Sequence, residues 1–162
     1  MRAANPVSTM RRSSGGRLLS ALGFCLVLSL SARAEPMPAN VWGCLLYASN
    51  SPDPVQTPVR LSRYDKKLEQ ETGFSSLRTL GENQAQFVAG RNGVLTFPGD
   101  LRVAVTSLSR GPDGKILVGL ELFRGDKQLL LTQAKLNQGS PLFIRGPAWR
   151  QGELIIAVVV GL

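Results

Sequence analysis

The side chains that could do chemistry in this chain are its eleven carboxylates, its two thiols and a tryptophan set between arginines; histidine is absent. Without histidine there is no Ser-His or Cys-His nucleophile pair and no His-ligated zinc. No glycine-rich phosphate loop stands between an expected strand and an expected helix. Paired carboxylates could still serve as acid and base. Yet Asp53, Asp65, Glu69, Glu71, Glu82, Asp100, Asp113, Asp126 and Glu153 fall in expected turns or on the polar side of an expected helix. Glu121 lies inside an expected strand, where alternation with Leu120 and Leu122 turns it to water. The expectation is a protein that is not an enzyme, with no catalytic residues, no metal and no cofactor.

Cys44 has no Lys, Arg or His close in sequence to lower its pKa, and Gly43 and Leu45 flank it in an apolar run, so it reads as a small core residue. Arg124-Gly125-Asp126 spells a cell-attachment tripeptide, but these are also the residues a tight turn uses. The strongest contact candidate is residues 145–152, an expected loop that carries Trp149 between Arg145 and Arg150. A large aromatic flanked by guanidinium groups has the composition of a binding hot spot, which makes Arg145, Trp149 and Arg150 the candidate binding residues. The competing role for Trp149 is to fold back over the end of the core. A sheet edge is a second route to a partner, by strand addition. Residues 154–160 are apolar without exception, which favours a central strand over an exposed pairing site.

The elements that hold these residues come after an address. Arg11, Arg12 and Arg17 precede an apolar run at 18–30, and Ala32-Arg33-Ala34 ends it as a small-x-small site, the layout of a secretory signal peptide at 1–34. The run is too short for a spanning helix. Ser13-Ser14-Gly15 stands where a twin-arginine signal wants a large apolar residue, and Phe24 before Cys25 does not fit a lipoprotein signal. The expected mature protein is exported, periplasmic or extracellular after cleavage near Ala34, and keeps no stable membrane span. Five of the 19 basic residues and none of the 11 acids lie in the leader, so the net charge of +8 falls to +3. The remaining Lys and Arg are scattered, which argues against nucleic acid. Cys44 is then the only thiol, so neither an internal disulfide nor a thiolate metal site forms within one chain.

The organisation expected is an extended arm at 35–40 and a single domain at 41–162. Residues 41–48 read as an internal strand, with Trp42, Cys44 and Leu46 on one face and Leu45 and Tyr47 on the other. After a proline-rich loop comes a helix, with Thr57 to cap it, Pro58 in its first turn and Gly73 at its end. Leu61, Tyr64 and Leu68 give it a narrow apolar stripe. A strand at 74–80 follows, and strand–helix–strand order suggests a right-handed crossover between parallel strands. Further strands are expected at 85–89, 94–97, 101–108, 115–123, 128–136, 142–144 and 153–160, separated by Gly and Pro turns. The fold class is mainly β: an antiparallel sandwich or meander with one amphipathic helix after the first strand.

Gly73-Phe74-x-x-Leu77-Arg78-x-Leu80, Gly139-x-Pro141 and Arg145-Gly146-Pro147 before a terminal apolar strand resemble features of small exported bacterial β-rich proteins of unknown function. The second half also resembles the β-rich repeats of outer-membrane secretion channels, without their multiple modules or length. Neither resemblance carries catalytic or binding residues; both imply an accessory role in the cell envelope. The expected function is therefore an exported protein-interaction or assembly-accessory module with an envelope protein partner. The alternative is a carbohydrate- or lipid-binding module, whose aromatic platform would draw on Trp149, Tyr47, Phe97 and Phe123.

Overall fold

Alternation of apolar and polar residues suits a strand that is wet on one side and dry on the other, as in Gly93–Phe97 and Leu101–Arg110, whereas unbroken apolar runs suit a strand covered on both sides. The computed structural model describes residues 38–161; the leader and the first residues of the expected arm lie outside them. The strands are β1 (Ala39–Ser49), β2 (Ser76–Phe87), β3 (Gly93–Phe97), β4 (Leu101–Arg110), β5 (Ile116–Arg124), β6 (Lys127–Leu136), β7 (Pro141–Trp149) and β8 (Gly152–Gly161). They form two four-stranded antiparallel sheets, one ordered β2-β1-β8-β7 and the other β3-β4-β5-β6. Within each sheet, strands consecutive in sequence are neighbours, and β1 pairs with β8, the first described strand with the last. The chain changes sheet after β2 and again after β6. This is the expected antiparallel sandwich, drawn as a meander.

The dry space between the sheets is filled by Val41 and Leu45 of β1, Leu154, Ile156 and Val158 of β8, and Leu101, Val103, Leu120 and Leu122 of the facing sheet. Gly43 leaves no room for a side chain between the sheets: a Cβ there would lie 2.6 Å from Leu95 Cδ1 and 2.9 Å from Phe97 Cζ. A second apolar cluster lies on the other face of the first sheet. Trp42, Cys44 and Leu46 of β1 and Ile155 and Ala157 of β8 meet Leu61, Leu68 and, less deeply buried, Tyr64 and Phe74. Both faces of β1 and β8 are therefore dry, as their unbroken apolar runs require.

The segment that covers this second face corrects two expectations. Helical winding starts loosely, with Leu61 N–H donating to Pro58 O, passes through a 3-10 turn at Ser62–Tyr64 and becomes α-helix α1 only at Asp65–Thr72. Thr57 is not an N-cap acceptor; its hydroxyl donates to Asp65 Oδ1 at 2.7 Å. The end falls as expected: Gly73 takes φ 75°, and its N–H donates to Glu69 O. The parallel crossover is overturned, because β1 and β2 are antiparallel throughout. The eight residues of α1 span about 12 Å and the eleven of β1 about 36 Å, so the helix is too short to return the chain to the start of β1. The segment lies on the sheet as a long hairpin loop instead. The separate strands expected at 74–80 and 85–89 are one strand, β2. Glu82, expected in a turn, sits within it and accepts from Trp42 Nε1 at 3.1 Å. The expected arm is shorter than read, since β1 begins at Ala39.

Candidate functional site

The expected loop at 145–152 is mostly strand. β7 runs through Trp149, and only Arg150 and Gln151 form the turn before Gly152 pairs back to Trp149. Gly146-Pro147 reads as a chain breaker, but the register shift between Arg145 and Ala148 absorbs it as a bulge on an edge strand. There the missing N–H of proline costs no interior ladder bond.

The three candidate residues are thereby separated. Arg145 is exposed and points along the ladder to Glu153, donating from Nε to Oε1 at 2.8 Å and from Nη2 to Oε2. That hydrogen-bonded guanidinium holds the Glu153 carboxyl below the usual carboxylate range. Trp149 is half-buried and packs on the inter-sheet core, with its ring over Gly99 of the β3–β4 turn, where a Cβ would come within 3.2 Å of Cζ3. It closes one end of the sandwich. Arg150 stands at the hairpin tip without an ion pair to a described residue, with φ 53°, a left-handed conformation that only a few per cent of non-glycine residues adopt.

Arg150 lines a cleft of about 440 Å³ together with Tyr47, Ser49, Ser76, Arg78 and Asp53. Sequence reading missed Ser49, Ser76 and Arg78. Ser49 and Ser76 are far apart in the chain and meet only because the β1–β2 register places them opposite each other. Arg78 entered only as part of a resemblance motif; its guanidinium lies over the Tyr47 ring, 5.9 Å from the centroid.

The second candidate surface is a sheet border. Three of the four borders are partly covered, short or proline-bearing. Gln56 bridges to β2, donating to Leu77 O and accepting from Thr79 N–H. β3 is only five residues long. β7 carries Pro141 and Pro147. β6 borders the second sheet with Leu129, Leu130 and Leu131 all exposed, Leu131 by 66%. A register shift leaves Leu129 without a partner residue on β5. The outer face of this sheet adds exposed Val94 and Leu117 and half-buried Phe123 beneath Arg102.

The other groups singled out for chemistry have the following surroundings. Cys44 is fully buried, and burial next to the Glu82 carboxylate pushes its thiol up to about 12, so it is neither a nucleophile nor a redox group at neutral pH. Several carboxylates have partners that explain them: Asp113 pairs with Lys135, Glu71 with Lys67, and Glu153 with Arg145. Among the described residues, no group of three or more Cys, Asp or Glu could hold a metal ion, and no helix is long and apolar enough to cross a membrane. Arg124, Gly125 and Asp126 lie at the exposed tip of the β5–β6 hairpin, where Gly125 N–H donates to Asp100 O. The four aromatics of the carbohydrate reading are dispersed: Phe97 is core, Trp149 closes an end, Phe123 faces out from β5 and Tyr47 lines the cleft. No protein-family model matches the chain, and no curated protein or solved structure is significantly similar to it.

Proposed function

We propose that this is an exported, non-enzymatic protein of the cell envelope that works by binding a protein partner along β6. What supports the reading is the contrast between β6 and the other sheet borders. A strand border offers unpaired N–H and C=O groups, and folded proteins blunt such borders with prolines, charges or shortness. β6 keeps lysines at its two ends, Lys127 and Lys135, and leaves three consecutive leucines exposed between them. That pattern suits β-strand addition, in which main-chain bonds supply affinity and alternate side chains select the partner. The leader at 1–34 supports export.

This moves the contact from the hairpin at 145–152 to the border of the opposite sheet. Trp149 is then a core-closing residue, and Trp149→Ala lowers the melting temperature.

The test is capture from the native cell envelope by the C-terminally tagged chain, with mass spectrometry of the bound proteins. A stoichiometric protein partner that is lost in Leu131→Lys, while the melting temperature holds, supports the reading. A partner retained at full level by Leu131→Lys and by Thr132→Pro would show that β6 is not the contact. Purification without any companion would remove the protein-partner reading itself.

A further inference from the structure

We propose that the cleft between the ends of β1 and β2 and the β7–β8 hairpin tip binds an oxyanion, the carboxylate or phosphate group of a small ligand or chain end. The proposal is independent of the β6 reading and rests on three observations.

The first is the floor. Ser49 and Ser76 are the only polar residues among the described residues that are buried, 7% and 2% exposed, and both line this cleft. No hydrogen bond ties either hydroxyl to another described residue. Yet no sealed side-chain nitrogen or oxygen there lacks a partner. The two hydroxyls are therefore reached from the cleft. Buried polar groups are normally satisfied by protein or by what occupies the space beside them. Two adjacent hydroxyls are donors suited to an anion's oxygens.

The second is charge. Arg78 on β2 and Arg150 in the β7–β8 turn line the same cleft, and neither forms an ion pair with a described residue. Arg78 is steadied against the Tyr47 ring. Guanidinium groups bind carboxylate and phosphate through short, charge-assisted bonds, and a planar fork loses little freedom in doing so. Asp53 on the rim opposes them with one negative charge, but its Oδ2 accepts from Ser51 at 2.7 Å. The lining keeps a surplus of one positive charge.

The third is strain. Arg150 holds φ 53° in a turn where glycine would rest without cost. A residue kept in a sparsely populated backbone region points to a use for its side chain. Here the turn places Arg150 in the lining of the cleft. The volume, about 440 Å³, is within the usual range for small-ligand sites and exceeds what a bare anion needs.

The experiment is a titration of the ¹⁵N-labelled protein with inorganic phosphate and, separately, with acetate, at ionic strength held constant with sodium chloride. The expected result is saturable shifts confined to the amides of Ser49, Ser76, Arg150 and Gln151 and to the Arg78 and Arg150 Nε–H signals. Arg78→Gln and Arg150→Gln each weaken binding about tenfold or more, corresponding to one charge-assisted contact. Arg63→Gln, on the helical segment, leaves it unchanged. Arg150→Gly raises the melting temperature and loses binding together, a combination that a purely structural arginine would not give. Saturation by phosphate alone assigns a phosphate source, and by acetate alone a carboxylate. Shifts that are absent, spread over the surface or unaffected by both arginine substitutions overturn the proposal.

Discussion

The first sheet, β2-β1-β8-β7, has protein against both faces, whereas the second, β3-β4-β5-β6, has it against one. In the first sheet, β1 and β8 bury residues of either parity: Leu45 and Leu154 toward the other sheet, Cys44 and Ile155 toward the helical segment. In the second sheet, Val103 and Leu120 are buried, while Leu117 and Leu131 on the opposite face meet solvent. A strand that is dry on two sides has few side chains to offer a partner, which holds for β1 and β8 of the first sheet but not for its partly exposed outer strands β2 and β7. The border at β7 carries Pro141 and Pro147. The second sheet stays available on its outer face and at β6. The polar cleft belongs to neither face; it opens at the ends of β1 and β2.

The largest way to break this contrast is to unseat the helical segment. Leu68 is 1% exposed at the centre of the second apolar cluster. Leu68→Ala should cost about 3 kcal/mol in chemical denaturation, whereas Leu131→Ala should fall within about 0.5 kcal/mol of the parent. Equal losses would mean that the outer face of the second sheet is packed as tightly as the first.

A sharper version uses two glycines in strand interiors. Gly43→Ala drives a methyl between Leu95 and Phe97, which the sheet-to-sheet core cannot move aside freely, and should cost about 2 kcal/mol. Gly119→Ala, on the outer face of β5, meets the hydroxyls of Ser107 and Thr106 most closely, and these can rotate away, while Ser107 Cβ lies at an ordinary contact distance of 3.5 Å. Its cost should stay within about 0.5 kcal/mol, read from the same denaturation curves.

The smallest effect comes from the border of the first sheet. Arg145 holds the Glu153 carboxyl below its ordinary pKa. A carboxyl depressed in the folded state contributes stability that is fully present above the ordinary carboxylate range and lost as pH falls through its folded value. Glu153→Gln should therefore lower the melting temperature slightly at neutral pH and converge with the parent in acid. A difference that persists unchanged at low pH would show that the ion pair is not its source. The arginine side chain is 60% exposed, which keeps the effect small.

Much of this was legible in the residues. The two faces of β1 follow from Trp42, Cys44 and Leu46 alternating with Leu45 and Tyr47, and the unbroken run in β8 already demanded a central position. Gly73 ended the helix because a left-handed residue does so wherever it falls. Period-2 patterning, turn residues and the absence of histidine are local properties, readable without partners. The direction of β2, the bulge that carries Pro147 inside β7 and the dispersal of Arg145, Trp149 and Arg150 were not readable in this way. Each depends on which distant strand lies alongside. Gly146-Pro147 breaks a chain in isolation but not on a sheet border, and Trp149 has its place only once the β3–β4 turn lies beneath it. The sequence alone determined that this chain is a mainly β protein with two strands, at 41–48 and 154–160, that bury both faces. Only the tertiary structure decided that Ser49, Ser76, Arg78 and Arg150 share one cleft, because register and sheet packing are non-local and no spacing along the chain encodes them.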